Sequence, residues 1–361
     1  MSDTRTPHTP IARVLALSVA LVAVVGVIVL AFSWPSITSE PRDLPVAIAG
    51  PAEAVDQIAA GLDEAQPGAI AFTEVADRDE AVEAIETREV YGAIILGQQP
   101  EVLTSSAASA AVAQLLGGAA AQLQQAANAQ AAAAAQAQGL DTVPTIEVAV
   151  TDVVPLADTD PRGTGLASAM FPLVLGGMAG GIAIAFVVIG AMRRILAVVV
   201  YSAGAGLALA GILGGWFGSL PGDYWLNVGA IALTLLAISA FITGMAALLG
   251  RAGLGLGALT MILVANPISS AAVPKEFLPA PWGEVGQWFP PGAGATLLRD
   301  VNYFPSADAT FPLLVLTGWA VVGLALSVIG HFRTAGGAEP DAEAAHEDDP
   351  ASEPAPEPVR A

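Results

Sequence analysis

Six predominantly apolar stretches of this chain run for about 19 residues or more without a charged side chain: Val14–Phe32, Leu166–Met192, Ile195–Phe217, Trp225–Leu249, Leu254–Ala272 and Phe311–Gly330. A helix needs about 20 apolar residues to cross the ~30 Å hydrocarbon core of a bilayer. Inside that core every backbone amide must find its partner within the chain, which leaves helices for segments of this kind. The sequence therefore predicts an α-helical polytopic membrane protein with six transmembrane helices. Charged residues make up 13% of the chain, about half the fraction of a soluble domain, because they are excluded from these runs.

The first run is too long for the apolar core of a cleaved leader, roughly 7–15 residues, so it reads as an uncleaved signal anchor. Arginine placement sets the orientation. Arg5, Arg13, Arg193, Arg194, Arg251 and Arg333 flank the runs on one side. Short arginine-rich segments stay in the cytoplasm. Six crossings then put both termini inside and residues 34–163 outside. The expected layout is a cytoplasmic N-terminus and anchor helix (1–33), an extracytoplasmic α/β domain inserted between helices 1 and 2 (34–163), and a five-helix membrane domain (164–333). A disordered acidic cytoplasmic tail (334–361) follows.

Within 34–163, short apolar runs alternate with helical patterns. Leu44–Ala49, Ala69–Val75, Val90–Leu96 and Thr145–Val150 read as strands. Helices are expected from Pro51 to Glu64 and from Asp77 to Arg88, the second with acids in its first turn. That alternation signals an α/β unit with part of its sheet parallel. Val102–Leu140 is uncharged and rich in Ala and Gln, and reads as one long helix or two broken at Gly117-Gly118. Val112, Leu115, Leu116, Ala119 and Leu123 share one face. Such a helix either covers the sheet or forms a stalk for oligomer packing.

Chemistry is sparse. The chain has no cysteine and a single lysine, Lys275. It has no phosphate loop, metalloprotease helix or nucleophile elbow. His8 and His346 lie in the tails and His331 at a membrane edge. No catalytic residue, metal site or cofactor is expected. Net charge is −20 with no basic cluster, which argues against nucleic acid. The runs contain no ionisable residue, which argues against an ion-coupled carrier. Their mild polar residues, among them Tyr201, Asn227, Thr234, Ser239 and Thr243, suit bonding to neighbouring helices or their own backbone. Gly176/Gly180, Gly177/Gly181 and Gly253/Gly257 allow close helix approach, within the chain or at a dimer seam.

The linker 273–310 is the most distinctive connection. Its prolines, including Pro274, Pro279, Pro281, Pro290 and Pro291, divide it into short pieces. Trp282 and Trp288 suit the membrane interface. Short helices are expected over Trp282–Phe289 and Ala293–Tyr303, dipping into the outer leaflet or capping the spans.

Three stretches then carry a family resemblance: Asp43–Gly50 with Glu89–Ile95; Asp160–Gly163 through Phe171–Leu173; and Asn266–Ser269 through Phe277–Pro279, Trp282-Gly283, Gly286-Gln287, Pro290–Ala293 and Leu298-Arg299. With one span, a large external domain and five further spans, the chain resembles the membrane subunit of type-2 ABC exporters. Within them it is most similar to the phage-infection-protein (Pip-like) membrane proteins of Gram-positive bacteria. The resemblance implies a bacterial plasma-membrane permease among membrane lipids, acting as a homodimer with a separate ABC ATPase, and exporting hydrophobic or amphiphilic substrates. It also implies an external re-entrant gate, for which the candidates are Asn266, Pro267, Pro279, Trp282, Trp288, Pro290, Pro291 and Arg299. Arg193, Arg194 and Arg251 are the candidate cytoplasmic contacts. The cytoplasmic turns are short for an ATPase to grip. The alternative is therefore a non-transporting envelope protein (a receptor, surface-assembly or secretion accessory protein) acting through its external domain.

Overall fold

The computed structural model describes residues 9–97, 99–138 and 145–333. The expected acidic tail, Arg5, His8 and His346 lie outside the described residues. The architecture is predominantly helical. Among the described residues, five helices are long and apolar enough to cross a membrane.

The first, α1 (Ile11–Ile37), continues past Phe32 and carries Trp34 and Pro35 inside its last turn, so the anchor is longer than its uncharged run. It is apolar all round and almost wholly exposed, as expected of a helix facing lipid. Only its C-terminal end packs inward, with Phe32 edge-on to Phe171 at 6.2 Å.

A five-stranded sheet follows: β1 (Leu44–Ala49), β2 (Ile70–Glu74), β3 (Gly92–Ile95), β4 (Glu101–Thr104) and β5 (Ala149–Asp152), in the order β2-β1-β3-β4-β5. β1 pairs in parallel with both β2 and β3, while β3 and β4 form an antiparallel hairpin. The helices α2 (Ala52–Ala65) and α4 (Ala110–Ala137) cover one face; α3 (Arg78–Glu86) covers the other. Alternation in β1 explains the layering: Leu44, Val46 and Ile48 meet α2 and α4, while Ala47 meets Ala81 and Ile85 of α3. Asp77 caps α3, accepting from the amides of Asp79 (3.0 Å) and Glu80 (3.1 Å).

Two expectations are corrected here. The uncharged stretch from Val102 is not helical at its start: Val102–Thr104 belong to β4, which makes five strands rather than four. The helix begins only at Ala110, where the Ser109 hydroxyl accepts from the Val112 amide. It then runs unbroken through Gly117-Gly118 and covers the sheet with Val112, Leu116 and Ala120 buried. The fourth expected strand lies later than Thr145–Val150, at β5.

The membrane bundle comprises α5 (Thr164–Val187), α6 (Ala191–Ala210, extended by a wider π turn to Trp216), α7 (Tyr224–Leu249), α8 (Arg251–Leu259, extended by a π turn to Ala265) and α11 (Thr310–Arg333). The helix α7 is the central post, with twelve of its 26 residues buried. Its Thr234, Ser239 and Thr243 hydroxyls donate to carbonyls one turn back. The glycine rows lie inside the chain. Gly177 and Gly181 face Ile238 and Ser239 of α7, and Gly257 faces Ile242.

The expected span boundaries shift at two places. Arg193-Arg194 open α6 rather than close the preceding helix, after a break at Val188–Gly190. The expected fifth span, Leu254–Ala272, is a shorter apolar helix, Arg251–Ala265. Asn266-Pro267 ends it, because proline removes the next helical donor. The linker contains a 3₁₀ turn (Lys275–Phe277), α9 (Trp282–Gln287) and α10 (Pro290–Tyr303). Pro290 and Pro291 start α10 at its first two positions, where a missing amide hydrogen costs nothing.

Candidate functional site

The loop leaving α8 turns on Ser270, whose φ of +53° is left-handed. Asn266 begins the turn: its amide donates to the Met261 carbonyl (3.0 Å), and its carbonyl accepts the Ser269 hydroxyl (2.7 Å). Beside this loop lies a cavity of about 410 Å³, bounded by Phe32 and Pro35 of α1, Met170 and Phe171 of α5, and Asn266, Pro267 and Ser270. Its wall is mainly apolar. The Ser270 hydroxyl is shut off from solvent and has no hydrogen-bond partner. The arrangement suits an apolar group carrying a few neutral polar atoms.

Above the cavity, the linker is bolted to the sheet layer. The Arg88 guanidinium pairs with the Asp300 carboxylate of α10 and lies 5.3 Å from the centre of the Phe304 ring. Arg88 itself sits in a left-handed conformation (φ +63°) just after α3. The Tyr91 hydroxyl donates to Glu276 at 2.8 Å. Arg42 donates to the Phe277 carbonyl at 2.8 Å, and its amide donates to the Glu276 carbonyl at 3.1 Å. Burial raises the pKa of Asp300 from its ordinary value, against the pull of Arg88. Burial, with the like charge of Arg88, lowers Arg299 to about 10, so it remains a cation. Arg299 donates to the Ala271 carbonyl at 3.1 Å, tying α10 to the cavity loop.

Lower on α10, Asn302 and Asn227 exchange amide hydrogen bonds of 2.7 and 3.1 Å. Asn302 also accepts from the Gly222 amide at 2.9 Å. This fixes α10 against the start of α7.

The expected gate residues divide into four sets. Asn266 and Pro267 line the cavity, and Arg299 holds its loop. Pro290 and Pro291 are buried at the start of α10. Trp282 stands edge-on to Trp34 at 6.2 Å, and Trp288 edge-on to Phe311 at 5.0 Å with its carbonyl accepting the Trp319 indole at 2.8 Å. Pro279 does not reach the cavity; its carbonyl accepts the Trp282 amide that begins α9. Trp34, Trp216, Trp225, Trp282 and Trp288 all lie at the end of the bundle that carries the sheet.

Arg193, Arg194 and Arg251 gather at the opposite end. Arg333 donates to the Leu248 carbonyl at 3.2 Å, which brings the end of α11 to the end of α7. Arg194 donates to the Val188 carbonyl at 2.6 Å and is buried. A cavity of about 520 Å³ at this end is bounded by Gly190, Arg193, Ile195, Val328 and Phe332.

Sequence reasoning missed Arg88, Tyr91, Glu276, Asp300 and Ser270. Nothing local marks Arg88 and Asp300 as partners, since 212 positions separate them. Among the described residues no group of three or more His, Asp or Glu could hold a metal ion.

A family model described as ABC-2 family transporter protein matches residues 13–329. No curated protein and no solved structure matches the chain.

Proposed function

The chain belongs to the ABC-2 family of transporter proteins, and from that membership we propose that it is the plasma-membrane subunit of an exporter for hydrophobic or amphiphilic substrates, powered by a separate ATPase. The observation that carries this reading is the mainly apolar cavity at Asn266 and Ser270, bounded by α1 and α5. An amphiphile could enter it sideways from lipid and bury its chain against Phe32, Met170 and Phe171. No step there needs an ionised side chain.

The reading includes six crossings, with both termini inside and the sheet outside. The shorter helix α8 begins beside Arg251, at the arginine-rich end, and its chain emerges at the sheet. The remaining thickness is made up by the loop at Asn266–Ser270. The Pip-like affinity of the third motif stretch and action as a homodimer are parts of the same proposal. The ATPase would meet the turns at Arg193-Arg194 and Arg251.

One observation favours a second reading, a non-transporting envelope protein. The connections at the arginine-rich end are minimal, Val188–Gly190 between α5 and α6 and Gly250 alone between α7 and α8. The deciding experiment is purification from the native membrane in mild detergent. A stoichiometric ATPase in the preparation supports the exporter; none, under conditions that preserve a known ABC complex, supports the envelope protein. For the exporter, Arg299→Ala and the double change Pro290→Ala/Pro291→Ala should impair export with normal amounts of protein in the membrane. Normal export by both would remove the linker from the mechanism.

A further inference from the structure

The sheet has a second cavity, far from the bundle. β1 begins beside the linker at Arg42, so its carboxyl end and that of parallel β3 point away from the membrane end. There the chain diverges. From β1 it turns through Gly50-Pro51 into α2, on the side of β2; from β3 it turns through Leu96-Gly97 toward β4, on the other side. Such a divergence at the carboxyl ends of parallel strands opens a crevice that α/β proteins use for ligands.

Here the crevice is a cleft of about 290 Å³ between α2 and α4. Its floor and walls include Ile58, Leu96, Leu123 and Val148, with Ala54 and Ala127 where larger side chains would have filled the space. Its volume is near the lower limit of small-molecule sites, roughly 300–1,000 Å³, which suits one hydrocarbon chain rather than a whole lipid.

The amides of α4 do not all serve the fold. Gln124 accepts from the Val148 amide and Asn128 from the Ile146 amide, holding the segment that leads into β5. Gln57 and Gln130, at the rim, are exposed and make no such bonds. Glu101 also borders the cleft, but Arg78 binds both of its oxygens, at 2.7 and 3.2 Å. Glu53 lies one helical turn before Gln57, on the same face of α2. Residues 34–163 carry 19 acidic residues against four arginines and no lysine. The field at the mouth is therefore negative, concentrating cations and repelling anions.

We propose that this cleft is a binding site for a single-chain cationic amphiphile, the chain lying between Ala54 and Ala127 and the cationic head at Gln57 and Glu53. The site is separate from the cavity at Asn266 and holds whether or not the chain exports anything.

The absence of cysteine makes the test direct. Ala126→Cys, labelled with a small trifluoroethyl group in the full chain in nanodiscs, reports on the rim by ¹⁹F NMR. Decyltrimethylammonium, decyl maltoside and decyl sulfate are titrated below their micelle concentrations. The cation should give a saturable shift at least tenfold tighter than the sulfate, with the maltoside between them. Added salt should narrow that gap. Filling the cleft from either wall, by Ala127→Phe or Ala54→Leu, should weaken the cation at least tenfold while the melting temperature holds. Two filling variants guard against one that fails to fold. The proposal is overturned by the absence of saturation, by equal affinity for all three probes, or by unchanged affinity in a folded filled variant.

Discussion

At the residue scale, the attachment of the sheet to the bundle rests on a few long-range polar contacts, of which Arg88–Asp300 is the most enclosed. Asp300 is 4% exposed, so removing its partner strands a charge. Such losses run to about 3–5 kcal/mol. Arg88→Ala and Asp300→Asn should each lower the unfolding free energy by about 3 kcal/mol. The double variant should recover part of the loss, giving a coupling of about 1–3 kcal/mol in a denaturation cycle; strict additivity would show that the two side chains do not interact. Ser270 argues the other way. It holds a left-handed conformation, costing roughly 1–2 kcal/mol for a side-chain-bearing residue, and its hydroxyl gains no bond in return. Ser270→Gly should raise stability by about 1 kcal/mol, read as a higher melting temperature. Neither residue stood out in the sequence. A left-handed serine has no local signature, and a pair 212 positions apart becomes visible only after the fold brings the end of α3 to α10.

At the scale of elements, legibility followed the strength of the local pattern. Both faces of β1 are buried, so Leu44–Ala49 reads as a near-continuous apolar run and its boundaries came out as expected. β4 escaped because its Val102-Leu103-Thr104 flow into an uncharged run whose composition is helical. The long apolar run to Ala272 hid the end of α8 at Ala265, since hydropathy alone does not register the break that Asn266-Pro267 makes in the helix. Gly117-Gly118 misled in the opposite direction. Neither lies near another atom that a side chain would meet, so the two glycines weaken α4 without breaking it. Gly117→Ala and Gly118→Ala should each stabilise the sheet layer by about 1 kcal/mol, measured by denaturant unfolding; a loss would mean that the glycines meet a partner chain. The tie between α3 and β4 is charge-dependent. Hydrogen bonds from Arg78 hold the Glu101 carboxyl below its ordinary range, aided by Thr151. Its contribution is therefore complete above the unfolded-state value, near 4.3, and disappears as pH falls through the lower folded value. Amide exchange around β4 should accelerate below about pH 4, and Glu101→Gln should remove that acid dependence.

At the scale of the molecule, charge placement argues for an orientation and aromatic placement for a membrane boundary. Arg13, Arg193, Arg194, Arg251 and Arg333 sit at one end of the bundle, and five of the six tryptophans at the other, with the sheet. Arginine-rich turns favour the cytoplasm, whereas tryptophan marks either interface without choosing a side. The tryptophans therefore locate the boundary and the arginines assign the sides. The hydrogen bonds between Arg42 and Phe277, and between Tyr91 and Glu276, put the linker and the sheet on the same side whichever way the bundle faces. The crossing parity then reduces to α8, at 15 residues the shortest apolar helix of the bundle. If α8 crosses together with the loop that follows it, a cysteine at Gln130 and one at Glu284 should both react in intact cells with a membrane-impermeant maleimide. A cysteine at Ala252, beside Arg251, should react only after the membrane is opened. Labelling of Ala252→Cys in intact cells, with Glu284→Cys protected, would reverse the whole assembly. Labelling of Gln130→Cys alone, with Ala252→Cys and Glu284→Cys both protected, would mean that α8 does not cross, and the cavity at Asn266 would then face the wrong leaflet for export. The parity of one short helix thus decides whether the sheet and that cavity serve the same side of the membrane.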